Sequence, residues 1–190
     1  GYSSTVRALA KHREEFASQC ASALDKVAAL PTVTDAPDGP AFCETSEDIE
    51  LAACRLAESV EASAIRYLMV DLEGNLGCRG GHISLIQFAA DSPNDSIPRR
   101  VYVFDTHCNG RAALGREGAS KLRALLEDNT ITKIFHCCHG DASTLFSEYS
   151  VLVRSCFDTS VADCLIRSAN FNQPRGLEKV LEAYVPSAKM

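Results

Sequence analysis

Two carboxylates stand two residues apart in the segment V-D-L-E-G-N (residues 70–75), directly after an apolar run. Residues i and i+2 of a β-strand point to the same face, so Asp71 and Glu73 should lie side by side. At the end of a buried strand, such a pair would repel and lose hydration unless cations lay between the two groups. Hard oxygen ligands of this kind suit Mg²⁺ or Mn²⁺. Taken alone, however, the spacing is more typical of a solvated strand end than of a site.

A second group of polar residues follows an apolar strand in the segment I-F-H-C-C-H-G-D (residues 134–141). Asp141 stands where a helix should begin, which is a common position for aspartate because the carboxylate complements the helix dipole. The four residues 136–139 could suggest zinc, but neighbours on a strand alternate faces and cannot easily reach one ion. We therefore interpret Cys137 or Cys138 as a core residue.

The elements around these segments follow from the hydrophobic pattern. Apolar runs at residues 65–72, 83–90 and 100–105, separated by turn-forming residues, predict three strands of an antiparallel meander. Before them, a short strand at Phe42 leads into a helix capped near Thr45 and reaching Ser59. After them, the pattern predicts helix 120–128, strand 131–136, helix 141–149, strand 156–159, a helix from about Ser160, and helix 176–184. This order predicts an α/β fold with a mixed sheet flanked by helices.

The N-terminal part of the chain differs from the rest. Residues 6–29 have helix-forming composition with an apolar stripe, and residues 31–41 are rich in Pro, Gly and Asp. We predict a helix and linker over residues 1–41 and a catalytic-type domain over residues 42–190. The helix should pack on its own domain, although its apolar stripe would also suit a protein partner.

The composition sets wide limits on function. The 190 residues, 46% apolar and 23% charged, suit one globular domain, and no apolar run is long enough to cross a membrane, so no membrane contact is expected. A formal charge of −6 argues against a nucleic-acid binder, because phosphate contacts usually come from basic surfaces. Divalent cations held by a carboxylate cluster would reverse the local sign, so net charge decides little.

The nine cysteines include no C-x-x-C pair, which argues against structural zinc of the usual spacing. A chain of this length and apolar content does not need a disulfide scaffold. Reduced thiols indicate an intracellular, reducing compartment, which could be the mitochondrial matrix, the cytosol or the nucleus. The chain begins with Gly, which indicates a trimmed or replaced N-terminus in which no targeting peptide would be visible.

The segments V-D-L-E-G, G-H-I-S-L-I-Q-F-A, V-Y-V-F-D-T, I-T-K-I-F-H-x-x-x-x-D and C-F-D-T-S-V-A-D-C-L-I occur in one order. In that order they resemble ribonuclease D-like members of the DEDD exonuclease superfamily, over about residues 42–185. The resemblance implies a ribonuclease H-like fold and an enzyme that removes nucleotides from the 3′ end of RNA by two-metal hydrolysis. The chain is also similar to a mitochondrial ribonuclease D that trims small guide RNAs, which favours the mitochondrial matrix.

The resemblance also implies roles for particular residues. Asp71 and Glu73 match the first exonuclease motif and Asp141 the second, so these three carboxylates would bind two Mg²⁺ or Mn²⁺ ions and carry the catalysis. The 3′-terminal nucleotide would contact four residues, Gly74, Asn75, Leu76 and His136. Two further polar residues are interpreted as structural: Asp158 as a capping residue and Gln87 as a buried hydrogen-bonding residue.

The family's third motif, a fourth carboxylate with a Tyr or His, should lie some tens of residues after F-D-T, beyond Met190. Asp163 falls too early and Tyr184 has no Asp at the required spacing, so we expect residues 42–190 to be an exonuclease domain cut before that motif, with less than full activity. Two alternatives stay open. One is a catalytically inactive module that binds RNA or a protein partner, and the other is a 3′-5′ DNA exonuclease. The expected partner is a small RNA with a single-stranded 3′ tail, and the expected product a nucleoside monophosphate.

Overall fold

A computed structural model describes residues 40–63, 66–77, 80–90, 101–115, 120–167 and 173–185. The helix predicted over residues 6–29, residues 31–39 of the linker predicted over 31–41, and the turn at residues 93–95 lie outside these ranges; the last linker residue, Ala41, belongs to a strand. In chain order the elements are β1 (Ala41–Cys43), α1 (Ser46–Ala62), β2 (Tyr67–Asn75), β3 (His82–Ala89), β4 (Val101–Asp105), α2 (Thr106–Leu114), α3 (Lys121–Glu127), β5 (Thr132–Phe135), α4 (His139–Tyr149), β6 (Cys156–Asp158), α5 (Thr159–Arg167) and α6 (Leu177–Tyr184).

The six strands form one mixed sheet in the order β1-β4-β3-β2-β5-β6. Strands β2, β3 and β4 pair antiparallel, which confirms the predicted meander, and β5 pairs with β2 in parallel. Strand β1 adds a further parallel pair at the far side of β4. Strand β2 therefore lies inside the sheet, with a neighbour on each side. The predicted α/β fold with a mixed sheet is confirmed.

The hydrophobic core lies against one face of this sheet. In β2 the buried residues alternate with exposed ones, and Leu68, Val70 and Leu72 are each at most 5% exposed. Across the neighbouring strands, the rings of Phe88 and Phe104 pack edge to face with centroids 5.6 Å apart. The opposite face of β2 carries its polar residues, so the sheet itself separates the core from the candidate site.

Helix α1 shows how local signals set an element. Thr45 caps its N-terminus, because the threonine Oγ1 accepts a hydrogen bond from the backbone N–H of Asp48 at 3.1 Å. The helix then buries residues at spacings of three and four that face the core, Ile49, Ala52, Ala53, Leu56 and Val60. It ends at Ala62, three residues later than the predicted end.

Helix α2 was not predicted. It begins at Thr106, directly after β4, and the Asp105 carboxylate accepts a hydrogen bond from the backbone N–H of His107 at 3.0 Å. Asp105 thus ends the strand and caps the following helix. The sequence offers this carboxylate as a signal, but no turn residues separate the two elements.

The chain divides into two compact units, one within Val33–Phe157 and the other containing Asp158–Met190. The first holds almost all of the sheet with α1 to α4, and the second holds α5 and α6. No helix among the described residues is both long enough and apolar enough to cross a membrane.

Candidate active site

Asp71 and Glu73 lie on the same face of β2, as their spacing predicts. Both are exposed, whereas the residues between and before them, Leu72 and Val70, are buried in the core. The expectation that the two carboxylates lose hydration was wrong, because they lie on the solvent side of the strand. What remains is their mutual repulsion, since residues i and i+2 of a strand are only about 6.7 Å apart along its axis.

The hydrogen-bond donor to this carboxylate pair is a neutral side chain. The side-chain amide of Gln87, on β3, donates a hydrogen bond from Nε2 to Asp71 Oδ2 at 3.1 Å. Neither Asp71 nor Glu73 forms an ion pair with any residue that the structure describes. The negative charge of this face is therefore left without a basic side chain to balance it within the described ranges.

A bulge follows the two carboxylates. The pairing of β2 with β3 shifts register between Glu73 and Gly74, and Gly74 lies opposite Ile83. A side chain at Gly74 would overlap the carbonyl oxygen of His82, so this position requires glycine. The bulge changes the course of the backbone immediately after Glu73, where the sequence predicted contacts to a 3′-terminal nucleotide.

The segment after the bulge is joined to helix α4. The backbone N–H of Gly77 donates to Thr144 Oγ1 at 2.9 Å, and the Thr144 hydroxyl donates to the carbonyl of Gly140 at 3.0 Å. Leu76 is partly buried against the core and Asn75 is exposed. The predicted substrate-binding segment, Gly74 to Leu76, therefore forms the end of β2 and the residue after it, directly before the contact with α4.

His136 and Asp141 lie where β5 passes into α4. Strand β5 is parallel to β2, with Ile134 opposite Met69. His136, one residue past the end of β5, lies two residues beyond Ile134, as Asp71 lies two residues beyond Met69. Cys137 has a left-handed backbone (φ 61°) that turns the chain into the helix, and Asp141 occupies the first turn. His136 is half-buried and Asp141 is 7% exposed.

Cys137 and Cys138 differ in their surroundings. Cys137 is exposed, whereas Cys138 is partly buried against the hydrophobic core. The interpretation that one of the two is a core residue therefore holds for Cys138.

The donor chemistry of the β2 face fits a divalent cation. Asp71 and Glu73 offer hard oxygen ligands on an exposed, uncompensated surface, and such ligands suit Mg²⁺ or Mn²⁺. Within the described ranges, however, no three His, Cys, Asp or Glu side chains are grouped closely enough to hold a metal ion. The structure thus brings together Asp71 and Glu73, while Asp141 lies on the adjoining helix without completing a three-ligand group.

Asp158 has the capping role that was predicted for it. Its Oδ1 accepts hydrogen bonds from the backbone N–H of Ser160 at 2.8 Å and from the Ser160 hydroxyl at 2.7 Å. The carboxylate therefore caps α5. Gln87 is indeed a hydrogen-bonding residue, but it is half-buried instead of buried, and its partner is a predicted catalytic carboxylate.

Asp163 and Tyr184, which the sequence analysis rejected as a third motif, contact each other. The Tyr184 hydroxyl donates to Asp163 Oδ1 at 3.0 Å, and Arg167 Nε donates to Asp163 Oδ2 at 2.8 Å. Arg175 lies 3.6 Å from Oδ1, and the Asp163 side chain is fully buried. The hydrogen bond from Arg167, supported by Tyr184 and Arg175, lowers the pKa of Asp163 against the opposing effect of burial.

The sequence of this chain is similar to those of known proteins. Over residues 43–189 the sequence matches a family model described as 3′-5′ exonuclease. A curated relative, the piRNA biogenesis protein EXD1 of Mus musculus, is 35% identical over 98 residues, which are 52% of this chain and 15% of that protein. The chain thus matches only a small part of the length of this relative.

Solved structures share the fold. Trypanosoma brucei RNase D in complex with RNA U12 aligns with a TM-score of 0.62 and 22% identity, over 81% of this chain and 50% of that one. Brucella melitensis NrnC with bound Mg²⁺ aligns with a TM-score of 0.52 and 20% identity, over 80% of this chain and 64% of that one. These likenesses show the ribonuclease D-type fold. The family match over most of the sequence establishes that this chain belongs to the 3′-5′ exonuclease family.

Proposed function

We propose that this chain carries a metal-dependent exoribonuclease site that removes nucleotides from the 3′ end of RNA. The observation that carries the proposal is the pair of exposed carboxylates, Asp71 and Glu73, on one face of β2, without a basic partner among the described residues. In a member of the 3′-5′ exonuclease family, such a pair is expected to bind divalent cations.

Three carboxylates would hold the ions. Asp71 and Glu73 supply oxygens from the strand face, and Asp141 would join them from the first turn of α4. When bound, two divalent ions supply a water of lowered pKa and neutralise charge at the phosphodiester that is cleaved. Two of the three carboxylates share one face of β2, so binding would require Asp141 to be drawn toward them.

The substrate would be placed by the segments next to the carboxylates. The bulge at Gly74 interrupts the regular pairing beside Glu73, and Asn75, an exposed residue, would contact the terminal sugar or base. His136, at the end of the adjacent strand β5, would face the terminal nucleotide. RNA is proposed as the substrate class because the aligned T. brucei RNase D structure contains RNA and the curated relative is named for piRNA biogenesis.

The test uses a 5′-labelled RNA with an unstructured 3′ tail and the longest natural form of the protein. With Mg²⁺ or Mn²⁺, we expect products that shorten from the 3′ end, and with a chelator we expect none. Asp71→Ala should abolish the products. Glu61→Ala, which removes an exposed carboxylate at the end of α1, should leave them unchanged.

Two other outcomes would replace this proposal. Equal or faster shortening of a matched DNA would assign the site to a DNA exonuclease. Retention of RNA on a filter without any shortening would assign the chain to the second candidate, an inactive exonuclease-fold module that binds RNA or a protein. That candidate is favoured by one observation, which is that the described residues do not bring three metal ligands together.

A further inference from the structure

We propose that Gln87 is a positioning residue that holds the Asp71 carboxylate in the orientation needed for cation binding. This inference rests on the proposed function of the β2 face. Gln87 lies directly opposite Asp71 in the antiparallel pairing of β2 and β3, and its Nε2 donates to Asp71 Oδ2 at 3.1 Å. The hydrogen bond occupies one carboxylate oxygen and leaves Oδ1 without a hydrogen bond among the described residues.

The backbone holds Gln87 in place from both sides. On β3 the residues before and after it, Ile86 and Phe88, are at most 1% exposed and packed in the core, so Gln87 must point to the opposite face. Strand β3 also pairs with β4, where Val103 lies opposite Gln87. The amide is therefore carried by an interior strand, and its position relative to Asp71 is set by the sheet instead of by a loop.

The neutral charge of the amide matters for this role. A lysine or arginine opposite Asp71 would fix the carboxylate equally well, but its positive charge would compete with a divalent cation. An amide donor orients the carboxylate and leaves its negative charge available. Donors of this kind, hydrogen-bonded to metal ligands, typically change metal affinity by about 10- to 100-fold when they are removed.

The test is Gln87→Met, which keeps a long side chain but removes the donor. Mn²⁺ binding is followed by electron paramagnetic resonance, and RNA shortening by the wild type and the variant is measured over a range of Mn²⁺ concentrations. We expect about a tenfold weaker Mn²⁺ affinity and a correspondingly higher Mn²⁺ concentration for half-maximal activity. At saturating Mn²⁺, the KM for RNA should be unchanged, because Gln87 acts through Asp71 and not on the substrate.

The control is Leu85→Met, which changes the neighbouring side chain on the same face of β3, opposite Glu73, without removing a hydrogen bond. It should keep the wild-type Mn²⁺ affinity. If Gln87→Met does not fold, Gln87→Leu replaces it, and thermal melting shows which variant is usable.

The outcomes separate the two proposals. If the wild type binds Mn²⁺ and shortens RNA but the Gln87 variant keeps the wild-type Mn²⁺ affinity, the positioning role is wrong while the proposed function stands. If the wild type neither binds Mn²⁺ nor shortens RNA, the proposed function is wrong and the role of Gln87 falls with it.

Discussion

Acidic residues in two regions of this chain differ in burial and in their partners. Asp163, in the unit that contains α5 and α6, is fully buried and contacts two guanidinium groups and a tyrosine hydroxyl. Asp71 and Glu73, on β2, are exposed, and among the described residues the pair receives a side-chain hydrogen bond from the Gln87 amide alone. Two arginines balance the negative charge of Asp163, whereas no basic side chain among the described residues balances the charge of Asp71 and Glu73.

The difference shows how a structural carboxylate can be told from a candidate metal ligand. A buried charge must be compensated within the protein, because leaving it unpaired costs several kcal/mol. An exposed pair of like charges is tolerated in water, and it attracts a cation whenever one is available. We therefore expect substitutions at Asp163 to change stability, and substitutions at Asp71 to change activity.

The largest effect is expected at Asp71. Asp71→Ala should lower the rate of RNA shortening by at least about a hundredfold, because metal ligands supply several kcal/mol of transition-state stabilisation. Its free energy of unfolding should stay within about 0.5 kcal/mol of the wild type, since the side chain is exposed. The rate of RNA shortening and the free energy of urea unfolding, measured on the same preparation, check both expectations. A large loss of stability would show that Asp71 is structural.

Asp163→Asn should give the opposite pattern. We expect the free energy of unfolding to fall by about 3 kcal/mol, the low end for breaking a buried ion pair, because both arginines are partly exposed. Urea unfolding measures the loss, and Glu182→Gln, at an exposed acid on α6, is the matched control. If the free energy of unfolding falls no more than in the control, Asp163 does not stabilise the fold.

The stabilisation by Asp163 should depend on pH. Its pKa is lowered in the folded protein, chiefly by the hydrogen bond from Arg167. A carboxylate with a lowered folded pKa stabilises the protein fully above its ordinary value of about 4, and this contribution is lost as pH falls through the lowered pKa. The stability difference between wild type and Asp163→Asn should therefore shrink in acid unfolding experiments below about pH 4. A difference that grows on acidification would contradict this sign.

The smallest effect is expected at Tyr184. Tyr184→Phe removes one hydrogen bond to Asp163 but leaves both arginines, so the free energy of unfolding should fall by about 1.5 kcal/mol. Urea unfolding of this variant beside Asp163→Asn, and of the double variant, measures how far the two losses are coupled. If the losses in the free energy of unfolding are fully additive, the Tyr184 hydroxyl does not stabilise the protein through Asp163.

Sequence patterns identified most of the elements because they depend on local features. The spacing of two residues on a predicted strand placed Asp71 and Glu73 on one face, and the side chains of Thr45 and Asp158 indicated the starts of α1 and α5. Each of these signals acts over a few residues along the chain. They can therefore be recognised without knowledge of the fold.

Two of the features that were missed depend on contacts between distant residues. Gln87 faces Asp71 only because β2 and β3 pair in one register, which shifts at the bulge after Glu73. Tyr184 reaches Asp163 across 21 positions of the chain, and nothing in the local sequence of either residue indicates it. Helix α2 was overlooked because Asp105 ends a strand and caps a helix at once, without intervening turn residues.

The most direct test of the central claim is a Mn²⁺ titration of the wild type and of the double variant Asp71→Asn, Glu73→Gln, followed by electron paramagnetic resonance. Both substitutions keep the size of the side chain and remove its charge. We expect the wild type to bind Mn²⁺ and the double variant, folded to the same extent, not to bind it. Equal Mn²⁺ affinity in the two proteins would contradict the assignment of this face of β2 as the cation site.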